Sequence, residues 1–252
     1  EKVLNTLVDN GNTLGIIQTG GGKSMIYWMA ALEMKGIAIV ISPLISLIDE
    51  QTEKLKKQGY EVLELHGGID PLKQMKLIKF FANKELNPNF IFLSPEKIAI
   101  DGLLEEAIKR RKDDIKLLVI DEVHCVSQWG MSFRPFYQRI PIFLNSIYGS
   151  SDNWCRILAL TATVNNQELK DICTYFKIGK KNIVRQPLMM RSEIQLHIKK
   201  CSKEAEKEAA FWDIVNIHKD EKILVYVYRK YSNHGVEGLC KEAESRGYKC
   251  AA

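Results

Sequence analysis

The sequence predicts an α/β fold in which a parallel sheet is flanked by helices, and three observations carry that expectation. Short apolar runs alternate with longer amphipathic ones along most of the chain. The short runs are rich in Val, Ile and Leu. Most of them are apolar on both faces, as strands covered on both sides must be. Strand and helix alternating in this order call for crossover connections and hence parallel pairing.

The expected strands are residues 13–17, 37–41, 61–65, 90–93, 117–120 and 156–160. Between them, helical periodicity places helices at 23–34, 44–58, 71–83, 103–111, 136–148 and 166–176. The rhythm breaks over 177–193, where lysines, Gly179 and Pro187 read as a connector. A second unit then begins, with strands expected at 194–198 and 223–228, helices at 204–217 and 236–246, and a further strand starting at Tyr248. The domains are therefore drawn as 1–186 and 187–252. The second sheet looks unfinished, so the chain is expected to belong to a longer protein.

Of the 252 residues, 46% are hydrophobic and 27% charged, the balance of a globular protein rather than a disordered one. The formal net charge of +5 is compatible with a phosphate-rich partner without requiring one. Six cysteines occur and none forms a CxxC pair, which removes the usual spacing of a zinc site and suits free thiols in a reducing compartment. No apolar run approaches the roughly 18 residues of a membrane span. The expected setting is cytoplasmic, or nuclear in a eukaryote, with no membrane partner.

Chemistry concentrates in three short segments. The first is Gln18-Thr19-Gly20-Gly21-Gly22-Lys23-Ser24, between an expected strand and an expected helix. Glycines let the backbone turn and aim N–H groups at phosphate oxygens, and a helix N-terminus adds favourable partial charge. Thr19 through Ser24 are thus candidate nucleotide-binding residues. Lys23 would reach the β and γ phosphates, and the Ser24 hydroxyl would ligate Mg²⁺. The strict phosphate-loop pattern wants a further glycine where Ile17 stands.

The second segment is Asp121-Glu122-Val123-His124, directly after a buried strand. Two carboxylates at the carboxyl edge of a parallel sheet lie where ligands bind in such folds. Asp121 is the candidate metal ligand, and Glu122 the candidate that orients or deprotonates an attacking water. The third segment, Thr161-Ala162-Thr163, is by itself only a small polar turn.

Taken in order, QTGGGKS, SPLISLIDEQ, LSPEKI, DEVHCVSQWGMSFRPFY and TAT resemble the RecQ family of superfamily 2 DNA helicases over roughly residues 14–250. The resemblance implies a RecA-like phosphate-loop NTPase domain followed by the beginning of a second. ATP and Mg²⁺ would bind between two such lobes, and hydrolysis would drive 3′-to-5′ movement on single-stranded or partly duplex DNA. RNA is the less favoured substrate. Lys23, Asp121 and Glu122 would be the catalytic set. His124, Gln128, Thr161 and Thr163 would couple the nucleotide state to movement. Ser42, Pro43 and Leu44, then Ser94, Pro95 and Glu96, would face DNA. Trp129 and Phe133 would stack on bases, and Arg134 would pair with phosphate or stack. Met131 and Ser132 stand where the family commonly has His-Asp. The family's adenine-reading glutamine is not visible before Gly11, and the later motifs of the second lobe, including its γ-phosphate arginine, are missing from the segment. The competing reading is a helicase-like ATPase that clamps nucleic acid as a switch in a larger complex.

Overall fold

A computed structural model describes residues 1–127, 135–187, 194–228, 230 and 235–251. The chain divides into two compact units, Glu1–Met189 and Met190–Ala252.

The larger unit is organised by seven parallel strands among the described residues: β1 Thr13–Ile16, β2 Ile37–Ile41, β3 Val62–Leu65, β4 Phe90–Leu93, β5 Ile115–Ile120, β6 Arg156–Thr161 and β7 Ile183–Arg185. Their spatial order is β3-β4-β2-β5-β6-β1-β7. Strand parity assigns the two faces. On one, Ala38, Val40, Phe90, Phe92, Leu117, Val119, Leu158 and Leu160 pack against α1 (Lys2–Asn10), α2 (Lys23–Glu33) and α3 (Ile45–Lys57). On the other, Ile39, Ile41, Ile91, Leu93, Leu118 and Ile120 meet α4 (Pro71–Ala82), α5 (Pro95–Ile100), α6 (Gly102–Arg110), α7 (Ile140–Tyr148) and α8 (Asn166–Tyr175). The central strands are buried on both faces, which is why they read as continuous apolar runs.

Helix boundaries follow local chemistry. Asp70 caps α4 by accepting from the Lys73 N–H, with Pro71 in the first turn, where its missing N–H costs no helix bond. Asn165 and Glu168 form a reciprocal capping box at the start of α8.

Several expectations need correction. The stretch expected as one helix over 136–148 is a 3-10 turn, Pro135–Arg139, followed by α7. Pro141 explains the break, because inside a continuous helix it would lose a hydrogen bond and clash with the preceding turn. The expected connector at 177–193 contains β7, which pairs with β1 from Leu14↔Ile183 to Ile16↔Arg185. Ser94, Pro95 and Glu96, which the resemblance implies as a DNA-facing loop, instead open α5, with Ser94 before it and Pro95 in its first turn.

In the smaller unit the expected helices are α9 (Glu204–Ile217) and α10 (Val236–Ser245). Trp212 packs edge-on to Phe211, and Arg246 lies 4.0 Å above its ring. No strand forms at 194–198, at 223–228 or at Tyr248 among the described residues. A strand exists only through ladder partners, and these segments find none among the described residues. Leu196, Leu224 and Tyr226 are accordingly exposed.

Candidate nucleotide site

The three chemical segments meet at the carboxyl edge of the sheet. The phosphate-loop candidate follows β1, Asp121 follows β5, and Thr161 closes β6. Gly20 and Gly22 adopt left-handed backbone, with φ of 79° and 82°, a region that glycine enters without a steric cost. Gly21 is required for a different reason. A Cβ there would lie 2.8 Å from Ile17 Cγ2 and 2.9 Å from the Gln18 carbonyl oxygen. The Gly21 N–H donates to that same carbonyl, 3.0 Å away. Gly22 then opens α2, so Lys23 and Ser24 occupy its first turn.

The loop borders a cleft of about 390 Å³ whose walls include Thr19, Lys23, Ser24, Ser42, Asp121 and Glu122. Lys23 Nζ lies 2.6 Å from Glu122 Oε1. The other Glu122 oxygen is 3.3 Å from His124 Nδ1. That ring nitrogen is also 3.0 Å from Thr161 Oγ1, and the Thr161 hydroxyl donates to the Thr163 carbonyl at 2.8 Å. Donor bookkeeping places a proton on Nδ1, since the Thr161 hydrogen is already committed. A continuous polar chain thus runs from the phosphate loop to the turn after β6.

Glu122 has a left-handed backbone, φ 48°, which is uncommon for a residue with a side chain. Its neighbours over-determine it: Asp121 accepts from its N–H at 3.0 Å, while Lys23 and His124 hold its carboxylate. Tyr137, fully buried, donates its hydroxyl to the Asp121 carbonyl at 2.9 Å and fixes the same turn from beneath.

These contacts separate the two carboxyl groups electrostatically. Burial, and then the negative charge of Glu122, push Asp121 up to about 6. The hydrogen bond from His124, with Lys23 beside it, holds Glu122 down to about 2. The Cys125 sulfur near Nε2 and the Glu122 carboxylate raise His124 to about 10. Because His124 binds its proton more tightly in the folded state, its stabilisation is complete below the unfolded value of about 6.5. It is lost as pH rises through 10. Thermal denaturation between these pH values should show a falling midpoint, and Glu122→Gln should flatten the slope.

Of the expected DNA-facing residues, 42–44 and 94–96 lie at the same sheet edge, following β2 and β4. Ser42 is buried, Pro43 half-buried and Leu44 exposed. Ser94 and Pro95 are buried and Glu96 half-buried, at the start of α5. Gln128, Trp129, Met131, Ser132, Phe133 and Arg134 lie outside the described residues. Sequence reasoning gave no role to Tyr27, Gln51 or Tyr137. Tyr27 follows Ser24 by three residues, hence shares its helix face, and its hydroxyl donates to Gln51 Oε1 at 3.3 Å.

His66, buried just after β3, organises its own turn. Its Nδ1 accepts the Gly68 N–H at 3.2 Å, so the proton of the neutral ring sits on Nε2, 3.2 Å from Asp49 Oδ1. Asp49, Glu64 and His66 come close enough to suggest a metal cluster. A metal on Nε2 would need Nδ1 to donate a hydrogen bond, and the Gly68 N–H occupies that position.

The DEAD/DEAH box helicase family profile matches residues 1–172. The ATP-dependent DNA helicase RecQ of Bacillus subtilis is 35% identical over 173 residues, covering 69% of this chain and 28% of that protein. The mouse ATP-dependent DNA helicase Q1 is 32% identical over 181 residues, 71% of this chain and 27% of its own length. The chain spans less than two fifths of each of these curated relatives. A solved structure of the Mycobacterium smegmatis helicase Lhr, bound to ssDNA and AMP-PNP, aligns with a TM-score of 0.65 at 17% identity over 98% of this chain and 34% of its own. That likeness bears on the fold alone, and the RecA-like parallel sheet expected from the sequence is present. The RecQ resemblance read from the motifs is matched by the relatives. With the family profile covering the phosphate loop, both carboxylates and the TAT turn, the chain belongs to the DEAD/DEAH box helicase family.

Proposed function

We propose that this chain is the nucleotide-binding lobe, with the start of a second lobe from residue 187, of an ATP-dependent DNA helicase or translocase of the RecQ type. The observation that carries the reading is the unbroken chain Lys23–Glu122–His124–Thr161–Thr163. It links the group that would touch the γ-phosphate to a turn that would report nucleotide state to a neighbouring lobe.

ATP would lay its phosphates along Gly20, Gly21 and Gly22 at the head of α2, with Thr19 beside them. Ser24 and Asp121 line one cleft, and a hydroxyl with a carboxylate is an all-oxygen donor set that suits Mg²⁺. When bound, the ion would neutralise phosphate charge. Lys23 would exchange Glu122 for a phosphate oxygen. Glu122, released from that cation, would orient and deprotonate the attacking water. His124 and Thr161 would carry the change to Thr163. DNA would track the turn at Pro43 and Leu44 and the head of α5 at Glu96, and the segment of Trp129, Phe133 and Arg134 would couple it to hydrolysis.

The test uses the intact protein. ATP hydrolysis should be strongly stimulated by single-stranded DNA and less by RNA of the same length, and a duplex with a 3′ tail should be unwound in preference to one with a 5′ tail. Hydrolysis at one rate with and without nucleic acid would sink the motor reading. DNA-stimulated hydrolysis without strand separation would favour the clamp.

A further inference from the structure

The motif resemblance carries Ser42 over as a contact to the DNA backbone. The structure puts its side chain elsewhere. In the β2–β5 ladder Ile41 pairs with Ile120, and the Asp121 N–H donates to the Ile41 carbonyl at 2.9 Å. Ser42 and Asp121 are therefore the next residues side by side on adjacent strands. Parity gives them a common face. Ala38 and Val40 of β2 and Leu117 and Val119 of β5 pack on the same cluster as Tyr27 and Trp28 of α2. Ser42 and Asp121 continue those two series, so both turn toward α2, the helix that begins with Lys23 and Ser24.

Two further observations place a polar demand there. Ser42 is 4% exposed, and its Oγ has no hydrogen-bond partner among the described residues. A buried hydroxyl is normally satisfied, and this one borders the cleft shared by Lys23, Ser24, Asp121 and Glu122. Tyr27 closes the same cleft, its ring held edge-on by Trp28 and Phe92 and its hydroxyl given to Gln51. A hydroxyl enclosed in this way has no path to a DNA backbone outside.

Resting on the nucleotide reading of this cleft, we infer that Ser42 is a positioning residue on the nucleotide side: its hydroxyl holds a water of the hydrated metal–phosphate group beside Asp121. DNA contact in this segment then belongs to Pro43 and Leu44. Hydrated Mg²⁺ keeps several waters when it binds through one or two protein oxygens, and such waters need second partners of this kind.

The experiment measures affinity for a non-hydrolysable ATP analogue in the intact protein, with Mg²⁺ and with EDTA, beside affinity for single-stranded DNA without nucleotide. Ser42→Ala should lose about 3- to 10-fold of the Mg²⁺-dependent tightening, the value of one hydrogen bond. Its affinity in EDTA and for DNA should match wild type. Ser42→Thr, which keeps the hydroxyl, should restore the Mg²⁺ response. Weakened DNA binding with an unchanged Mg²⁺ response overturns the inference, and so does an alanine variant equal to wild type in every arm. Lys23→Ala is the separate control: if it leaves analogue binding intact, the nucleotide reading itself fails, whatever Ser42 does.

Discussion

Lys23→Ala is expected to lower ATP hydrolysis by about 10²–10³-fold, the usual loss when a preorganised charge is removed from a developing oxyanion. Lys23 is the cation of the candidate phosphate loop, and its side chain is only 14% exposed. Its ammonium already sits among acceptors, 2.6 Å from Glu122, so little side-chain entropy remains to be lost when a phosphate replaces the carboxylate. The fold should survive the change, because Glu122 keeps His124 as a partner. Steady-state hydrolysis and the thermal midpoint, measured on the same preparation, separate the two effects. A large loss of hydrolysis with an unchanged midpoint is the expected result. Retained hydrolysis would remove the loop from the chemistry.

How far the sequence led depends on the range of the interaction concerned. β2 and β4 have the ends expected of them, because a strand covered on both faces must be apolar at every position and glycine or polar turns bound it. The phosphate loop was legible for the same local reason: three glycines, a lysine and a serine at a strand-to-helix junction. β7 was not. Ile-Val-Arg is too short to show a period, and only pairing with β1, about 170 residues earlier in the chain, makes it a strand. The isolated apolar runs at 194–198 and 223–228 failed in the opposite sense, with the composition of strands but no ladder among the described residues.

The candidate site divides along the same line. Residue types and their order identified Lys23, Ser24, Asp121 and Glu122. The ion pair between Lys23 and Glu122 joins positions 99 apart in the chain, and nothing local announces it. Nor does local sequence show that the Tyr137 hydroxyl holds the Asp121 turn, because a tyrosine in an aromatic block reads first as core. The side on which Ser42 works was available in principle, since strand parity alone sends residues 38, 40 and 42 to one face. It became visible only when the register with β5 set Asp121 beside it.

Glu122→Gln should separate binding from chemistry. While Glu122 is paired with His124 and Lys23, its carboxyl is held down to about 2, which makes it a poor proton acceptor. If Lys23 turned to a phosphate, its share of that stabilisation would be lost while the larger one, the His124 hydrogen bond, stayed, and the carboxylate would become a somewhat stronger base. On the proposed reading, phosphate binding and part of the activation of the base would be coupled through one lysine exchanging partners. Glutamine keeps the shape and removes the base, so hydrolysis should fall by about 10²–10⁴-fold, the range for general-base catalysis. Nucleotide affinity should hold or tighten, because Lys23 no longer has a competing anion. Single-turnover hydrolysis and analogue binding on one variant read both effects. Weaker binding accompanied by wild-type hydrolysis would reverse the assignment, making Glu122 a partner of the phosphate-side cation and leaving the water to another group.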